Sequence, residues 1–297
     1  MKFTHLHVHS HYSLLDGLAK IDEIVNHAKS LGMDSIALTD HGVMYGAIEF
    51  YKKAKAAGIK PIIGCEIYLA NNTRFDKRSG IDDKRYHLVL LAKNNEGYKN
   101  LLKIVGLSHL EGFYYKPRAD KDLLRKYSEG IIALSACLGG EIPHAIHARD
   151  FELAEKLALE YQDIFGKGNF FLEVQPHPKL EGQDFTNEEI IKLGKKLGIP
   201  VVATNDSHYL KKEDAEAQDV LLAVQTQNSL DDKDRLTMKF EDFSIKPTKE
   251  MSESFKENPD VIQNTQVIVD ACNITLELGK IQLPFFQVPE GQTPQTY

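Results

Sequence analysis

His5–Gly17 reads H-L-H-V-H-S-H-Y-S-L-L-D-G, and the rest of the chain is organised around it. In an extended strand, side chains two apart share a face, so His5, His7 and His9 point the same way. Imidazoles lined up on one strand face are poor core material and good metal ligands. Asp16-Gly17 then closes a loop that brings a carboxylate back over the strand end. His5 lies a pleat deeper than His7 and His9, and reads as a core histidine or a support for the other two.

Helix and strand signals alternate outward from this stretch. Ile21, Ile24, Val25, Ala28 and Leu31 fall on one helical face, and Gly32 ends the run. A strand follows at 35–39, a helix at 47–57 stopped by Gly58, and a strand from Ile62 to about Tyr68. The same glycine stop recurs at Gly198, before a strand at 201–204. A helix closing on glycine and feeding a short apolar strand is the αβ loop of a parallel sheet.

Further strands are expected at 87–92, 130–135 and 169–175, and further helices at 96–109, 151–165 and 188–197. With the first, that makes seven strands, an α/β pattern that suits a barrel or a doubly wound sheet. The polar run 76–83 reads as a loop over one rim.

Around Gln227 the repeat ends. Residues 228–297 read as an α-rich C-terminal extension, with a lone strand at 243–246 and two helical runs within 249–272. The final residues carry no stop signal, so the chain reads as a piece of a longer protein.

Composition bounds what such a protein does. Three cysteines, Cys65, Cys137 and Cys272, are too few and too odd for a disulfide framework and suit a reducing, cytoplasmic location. No apolar run approaches membrane-span length, and Met1-Lys2-Phe3-Thr4 opens no signal peptide, so no membrane partner is expected. The net charge of −7 argues against a broad basic face for nucleic acid.

Twelve histidines are many for this length, and their placement is informative. His7 and His9 end the first strand, and Asp40-His41 ends the second in L-T-D-H-G. Glu66 ends the third in G-C-E, Cys137 follows the fifth in L-S-A-C-L-G-G, and Asp206 and His208 follow the seventh in N-D-S-H-Y. Only His87, in R-Y-H-L-V, opens its strand instead.

Each of these alone has a plain explanation: a satisfied histidine, a turn, a small buried thiol. Recurrence at one phase of the repeat is what points to metal, because loops after parallel strands converge on one face. Imidazole, carboxylate and one thiolate together suit zinc, manganese or iron. So many ligands exceed one ion's needs and imply two or three divalent ions. Three such ions outweigh the charges of Asp16, Glu66, Asp206 and a Cys137 thiolate, leaving a locally positive pocket able to hold phosphate.

These residues, in this order, resemble the polymerase-and-histidinol-phosphatase (PHP) family of metal-dependent phosphoesterases. The likeness runs the length of the chain and is closest to the N-terminal PHP domains of bacterial replicative DNA polymerases. It is carried by His5–Gly17, L-T-D-H-G, I-I-G-C-E, L-S-A-C-L-G-G and N-D-S-H-Y. Two further segments set the polymerase domains apart from stand-alone phosphatases, G-F-Y-Y-K-P-R at 112–118 and N-T-Q-V-I-V-D-A-C-N at 264–273.

The resemblance implies a distorted seven-stranded (β/α)7 barrel over 1–227, with 228–297 leading toward a polymerase domain. It implies metal ligands at His7, His9, Asp16, His41, Glu66, His87, Cys137, Asp206 and His208. It groups His7, His9, Glu66 and Asp206 on one ion, Glu66 with His87 and Cys137 on a second, and Asp16, His41 and His208 on a third. A metal-activated water would hydrolyse a phosphoester, in this setting as a 3′–5′ exonuclease acting on a DNA 3′ end. Arg118, His11 and Tyr12 are candidate substrate contacts, and the polymerase chain and replisome subunits are the implied partners. The alternatives are a metal-stabilised interaction module without activity and a small-molecule phosphatase of the histidinol-phosphatase type. No polymerase centre is legible in the chain itself.

Overall fold

The computed structural model describes residues 2–281 and 286–297. Met1 and 282–285, which fall inside the two stretches drawn from the sequence, lie outside the described residues. The chain runs α1 (Ile21–Ser30), β1 (Ser35–Leu38), α2 (Ala47–Ala57), β2 (Lys60–Ala70), β3 (Arg85–Ala92) and α3 (Asn95–Leu110). It continues β4 (Arg118–Ala119), α4 (Lys121–Tyr127), β5 (Ile131–Leu134), α5 (Glu141–His147), α6 (Phe151–Phe165), β6 (Phe170–Val174) and α7 (Gln183–Leu197). After β7 (Val201–Ala203) come α8 (Ala215–Thr226), α9 (Thr248–Ser254) and α10 (Asp260–Ala271). No helix among the described residues is long and apolar enough to cross a membrane.

Local chemistry explains the boundaries. In α1 the buried face is Ile21, Ile24, Val25 and Ala28, and Glu23 turns back to accept from the Lys20 backbone N–H at 2.9 Å. Asn94, Asp120 and Asp150 cap α3, α4 and α6 by accepting from an N–H three residues on. Gly58 and Gly198 end α2 and α7 in the left-handed conformation that the glycine stops required.

The strands form one curled seven-stranded sheet in the order β1-β2-β3-β5-β6-β7, with β4 paired beside β2. The β1–β2, β5–β6 and β6–β7 pairs are parallel, whereas β3 runs antiparallel to both β2 and β5. The reversal settles the position of His87. An antiparallel strand begins where its parallel neighbours end, so a residue near the start of β3 reaches the same rim as residues ending β1 and β2. His87 accordingly sits opposite Tyr68, two residues past Glu66.

Two expected strands take another form. Residues 5–9 make no ladder; the segment is bonded on one side to β1, through Ala37 N–H to His5 C=O and Thr39 N–H to Val8 C=O. On its other side it exchanges bonds with Ser207, and Val8 with Ser207 is its one bridge. It therefore closes the curled sheet between β1 and β7 by isolated bonds, with Leu6, wholly buried inside, adding roughly 1.5–3 kcal/mol. The lone strand at 243–246 reduces to a single bridge between Ser244 and Tyr209, made by His208 N–H to Phe243 C=O and Ile245 N–H to Tyr209 C=O.

Leu6, Ala37, Ile62, Val89, Ile132, Phe171 and Val202 fill the interior of the curl, and the helices pack around its outside. The lower end is plugged by α10, whose Ile268 and Val269 join that interior cluster. Thr4 N–H donates to Thr265, Asn264 donates to Val201 C=O, and Lys60 donates to Val269 C=O. Those partners begin the first segment, β7 and β2, so α10 covers the end opposite the strand C-termini. Residues beyond 227 thus pack directly on the barrel.

Candidate metal centre

At the open end, nine side chains from separate segments meet. Glu66 is the hub. Its oxygens lie 3.3 Å from His7 Nε2, 3.4 Å from His9 Nε2, 2.6 Å from His41 Nδ1 and 2.8 Å from His87 Nδ1. Asp206 Oδ1 lies 3.2 Å from His7 Nε2 and 3.1 Å from His9 Nε2. Asp16 reaches His41 Nε2 at 2.9 Å and His208 Nε2 at 3.6 Å. Cys137 Sγ stands 3.8 Å from His87 Nδ1. The structure thus brings together all nine residues expected as ligands.

Strain marks the same place. Asp206 itself, Leu15 before Asp16 and Ala136 before Cys137 take positive φ angles of 49°, 61° and 63°. Non-glycine residues adopt that conformation at a cost, and such residues cluster where a side chain has to be aimed.

Supporting hydrogen bonds aim several imidazoles. His7 donates through Nδ1 to Glu173 at 2.8 Å, and Thr204 and Gln175 donate to the same carboxylate oxygen. Ser13 donates its hydroxyl proton to Asp40 at 2.7 Å, so it accepts from His9 Nδ1 at 3.0 Å. His208 Nδ1 bonds the Asp206 carbonyl at 2.7 Å. In each case Nδ1 is engaged and Nε2 is the nitrogen turned toward the cluster, where a cation would take the place of any proton it carries.

The centre fits divalent ions on the structure's own terms. His7 Nε2, His9 Nε2, His41 Nδ1, both Glu66 oxygens and Asp206 Oδ1 are buried and crowd one another at 2.6–3.4 Å without hydrogen-bond geometry to any partner. Orphaned buried polar atoms are costly, and six converging on one spot call for a cation. Donor triplets at ligand spacing are His7–His9–Glu66, His41–Glu66–His87 and His9–His41–His208.

Electrostatics agree. Burial alone would raise the Glu66 carboxyl, but His87, His7 and His41 overcome it and hold it well below the usual range. Asp206 is lowered likewise, with His7 and His208 outweighing burial, as is Asp16, with His208 and His41 doing so. Burial, then the facing imidazoles of His41 and His208, push His9 down to about 3, so it stays neutral. Burial and the Asp206 and Glu66 carboxylates push the Cys137 thiol well up, so it keeps its proton until a cation takes its place.

Other expected residues fall elsewhere. His5 is a core histidine, its Nε2 2.9 Å from the Lys246 carbonyl. Asp40 does not face the cluster; it accepts from the Ser10 backbone and the Ser10 and Ser13 hydroxyls, holding the ligand loop closed. Tyr12 borders a cleft shared with His41 and donates to Glu49 at 3.0 Å, and His11 packs on its ring.

Arg118 corrects an expectation. It is wholly buried, and its guanidinium donates to the carbonyls of Gly112, Asp82, Asp76 and Arg74. With four of its five N–H donors engaged on backbone carbonyls it pins the 74–82 loop from a wholly buried position. Glu173 and Ser13 were not anticipated. A glutamate inside the otherwise apolar F-F-L-E-V was the legible sign, since a carboxylate in a fully buried strand needs a partner.

A protein-family profile, the PHP domain, matches residues 5–177. The DNA polymerase III subunit alpha of Borreliella burgdorferi is 50% identical over 292 residues, covering 97% of this chain and 25% of that protein. The subunit alpha of Treponema pallidum is 44% identical, covering 97% and 25%. That of Thermus aquaticus is 43% identical, covering 100% and 25%. The chain spans about a quarter of the length of these relatives.

Proposed function

The chain belongs to the PHP domain family, and on that premise we propose that it is a metal-dependent phosphoesterase working as a 3′–5′ exonuclease within a bacterial DNA polymerase III alpha chain. The observation that carries this reading is the group of orphaned buried donor atoms on His7, His9, His41, Glu66 and Asp206, gathered at the open end of the barrel. His7, His9, Asp16, His41, Glu66, His87, Cys137, Asp206 and His208 would hold two or three zinc, manganese or iron ions. Such ions supply positive charge against phosphate oxygens and acidify a water at neutral pH.

The chain's own residues do the rest. Glu173 and Ser13 engage Nδ1 of His7 and His9 and so turn Nε2 of each toward the cluster, and Asp40 braces Ser13. Three carboxylates held ionised give the pocket its affinity for cations. The DNA 3′ end, the rest of the polymerase chain and other replisome subunits are the partners proposed by similarity to the relatives.

One observation favours a second reading, a metal-stapled interaction module. The 5–9 segment has no ladder, so ions shared with Glu66 and Asp206 would fasten it to β2 and to the end of β7. Release of nucleotides from a 3′-mismatched DNA by manganese- or zinc-loaded chain separates the two. Release that His9→Ala abolishes supports the nuclease; a fully loaded chain that leaves the end intact supports the module.

A further inference from the structure

We propose that the cleft beside His41 is a stacking subsite for one unpaired nucleobase at a DNA strand end, an inference that rests on the phosphoesterase reading and gives it a substrate preference. Tyr12, Tyr45, Tyr68, Phe113, Tyr115 and Lys116 line a cavity of about 260 Å³, and His41 forms part of its wall. The His41 ring stacks on Tyr68 at 5.9 Å with an interplanar angle of 19°. The cleft therefore opens directly onto a ligand of the metal centre.

Three features fit a base. Tyr45, Phe113 and Tyr115 are 63%, 52% and 65% exposed, an aromatic surface gathered around one cavity, which is the form that base stacking requires. Tyr115 stands at φ 59° on a turn closed by Tyr114 N–H to Lys116 C=O at 3.0 Å, a strained backbone that presents its ring outward. Charge is the third. In a chain of net charge −7, no Asp or Glu is among the described residues lining this cleft, whereas Lys116 is, 5.7 Å from the Tyr68 ring centre; the nearest carboxylates, Glu49 and Asp16, are engaged by Tyr12 and His41.

Cations beside aromatic faces are the pattern by which single strands are held through phosphate and base together. The cavity is a little under the roughly 300 Å³ at which pockets for larger ligands begin, so it suits one ring system. A paired base is already stacked and hydrogen-bonded within its duplex. A mispaired or frayed terminal base is free to enter, whatever its identity, since every base has a π-face.

The test titrates chelator-treated chain with a single strand carrying fluorescent 2-aminopurine as its 3′-terminal base, which is quenched on stacking. Wild type should quench the probe to saturation. Tyr115→Ala should weaken binding roughly 5- to 150-fold, the loss of one base–ring stack, while Tyr115→Phe should bind as wild type does. An abasic 3′ end should bind as weakly as the alanine variant binds the base. Equal binding of abasic and base-bearing ends, or wild-type binding by both Tyr115→Ala and Tyr45→Ala, overturns the proposal. Manganese-loaded chain separates the two readings. Hydrolysis indifferent to the terminal base removes the subsite and leaves the phosphoesterase, whereas a stacked base without hydrolysis supports the subsite and removes the exonuclease.

Discussion

His7 donates through Nδ1 to Glu173, 2.8 Å away and wholly buried behind it, so a residue outside the ligand set decides which nitrogen His7 presents. Removing that acceptor by Glu173→Ala frees the ring to turn and to change tautomer. We predict metal affinity lower by roughly 10- to 100-fold, measured by competition against a chromogenic chelator. Glu173→Gln, which keeps an acceptor oxygen, should lose less. Equal affinity in all three proteins would show that Glu173 does not set the ligand.

Arg118 holds four carbonyls from two loops. Arg118→Ala leaves them buried and unpaired, and should lower unfolding free energy by about 3 kcal/mol or more in urea titration. Arg118→Lys, with a smaller and unforked donor set, should recover only part of that. A substitution that weakened DNA binding at unchanged stability would instead return Arg118 to the substrate.

Gly17 packs against the ligand strand so closely that an added Cβ would lie 2.1 Å from the Ser10 carbonyl oxygen. Gly17→Ala must push the Asp16 loop off its seat. We expect about 1–3 kcal/mol of lost stability together with weaker metal retention, read from urea midpoints and metal content after dialysis. Lost stability with unchanged metal content would detach Asp16 from the centre.

His177 gives one part of the pH dependence. Burial, with Lys246 nearby adding to it, pushes its pKa down from the ordinary 6.5 to about 4. The ring is neutral when folded, whereas the unfolded chain takes up the proton below about 6.5. Its contribution is therefore complete above pH 6.5 and is lost as pH falls toward 4, roughly 3 kcal/mol in all. Urea midpoints of chelator-treated protein between pH 7.5 and 4.5 should fall less steeply for His177→Gln than for wild type. Parallel slopes would contradict the assignment.

The cluster at the open end was legible because polar residues recur at one phase of an apolar repeat, which suits candidate metal ligands better than core packing. What the pattern hid follows from physics it does not encode. The apolar run Leu88–Ala92 looks the same in either direction, so the reversal of β3 showed only indirectly, in a polar connection at 71–84 with no crossover helix. Arg118 looked like a phosphate contact because only tertiary structure buries it under four carbonyls. The aromatic cleft joins residues from positions 12, 45, 68, 113, 115 and 116, which no local window brings together.

The centre's capacity for ions is the most direct test of this account. Zinc or manganese should be titrated into chelator-treated chain and the retained metal counted per chain by mass spectrometry. Two or three ions in wild type, with fewer in His9→Ala, is the result that the shared Glu66 and Asp206 carboxylates predict. A wild-type chain that retains none, or only one that His9→Ala leaves in place, would contradict it.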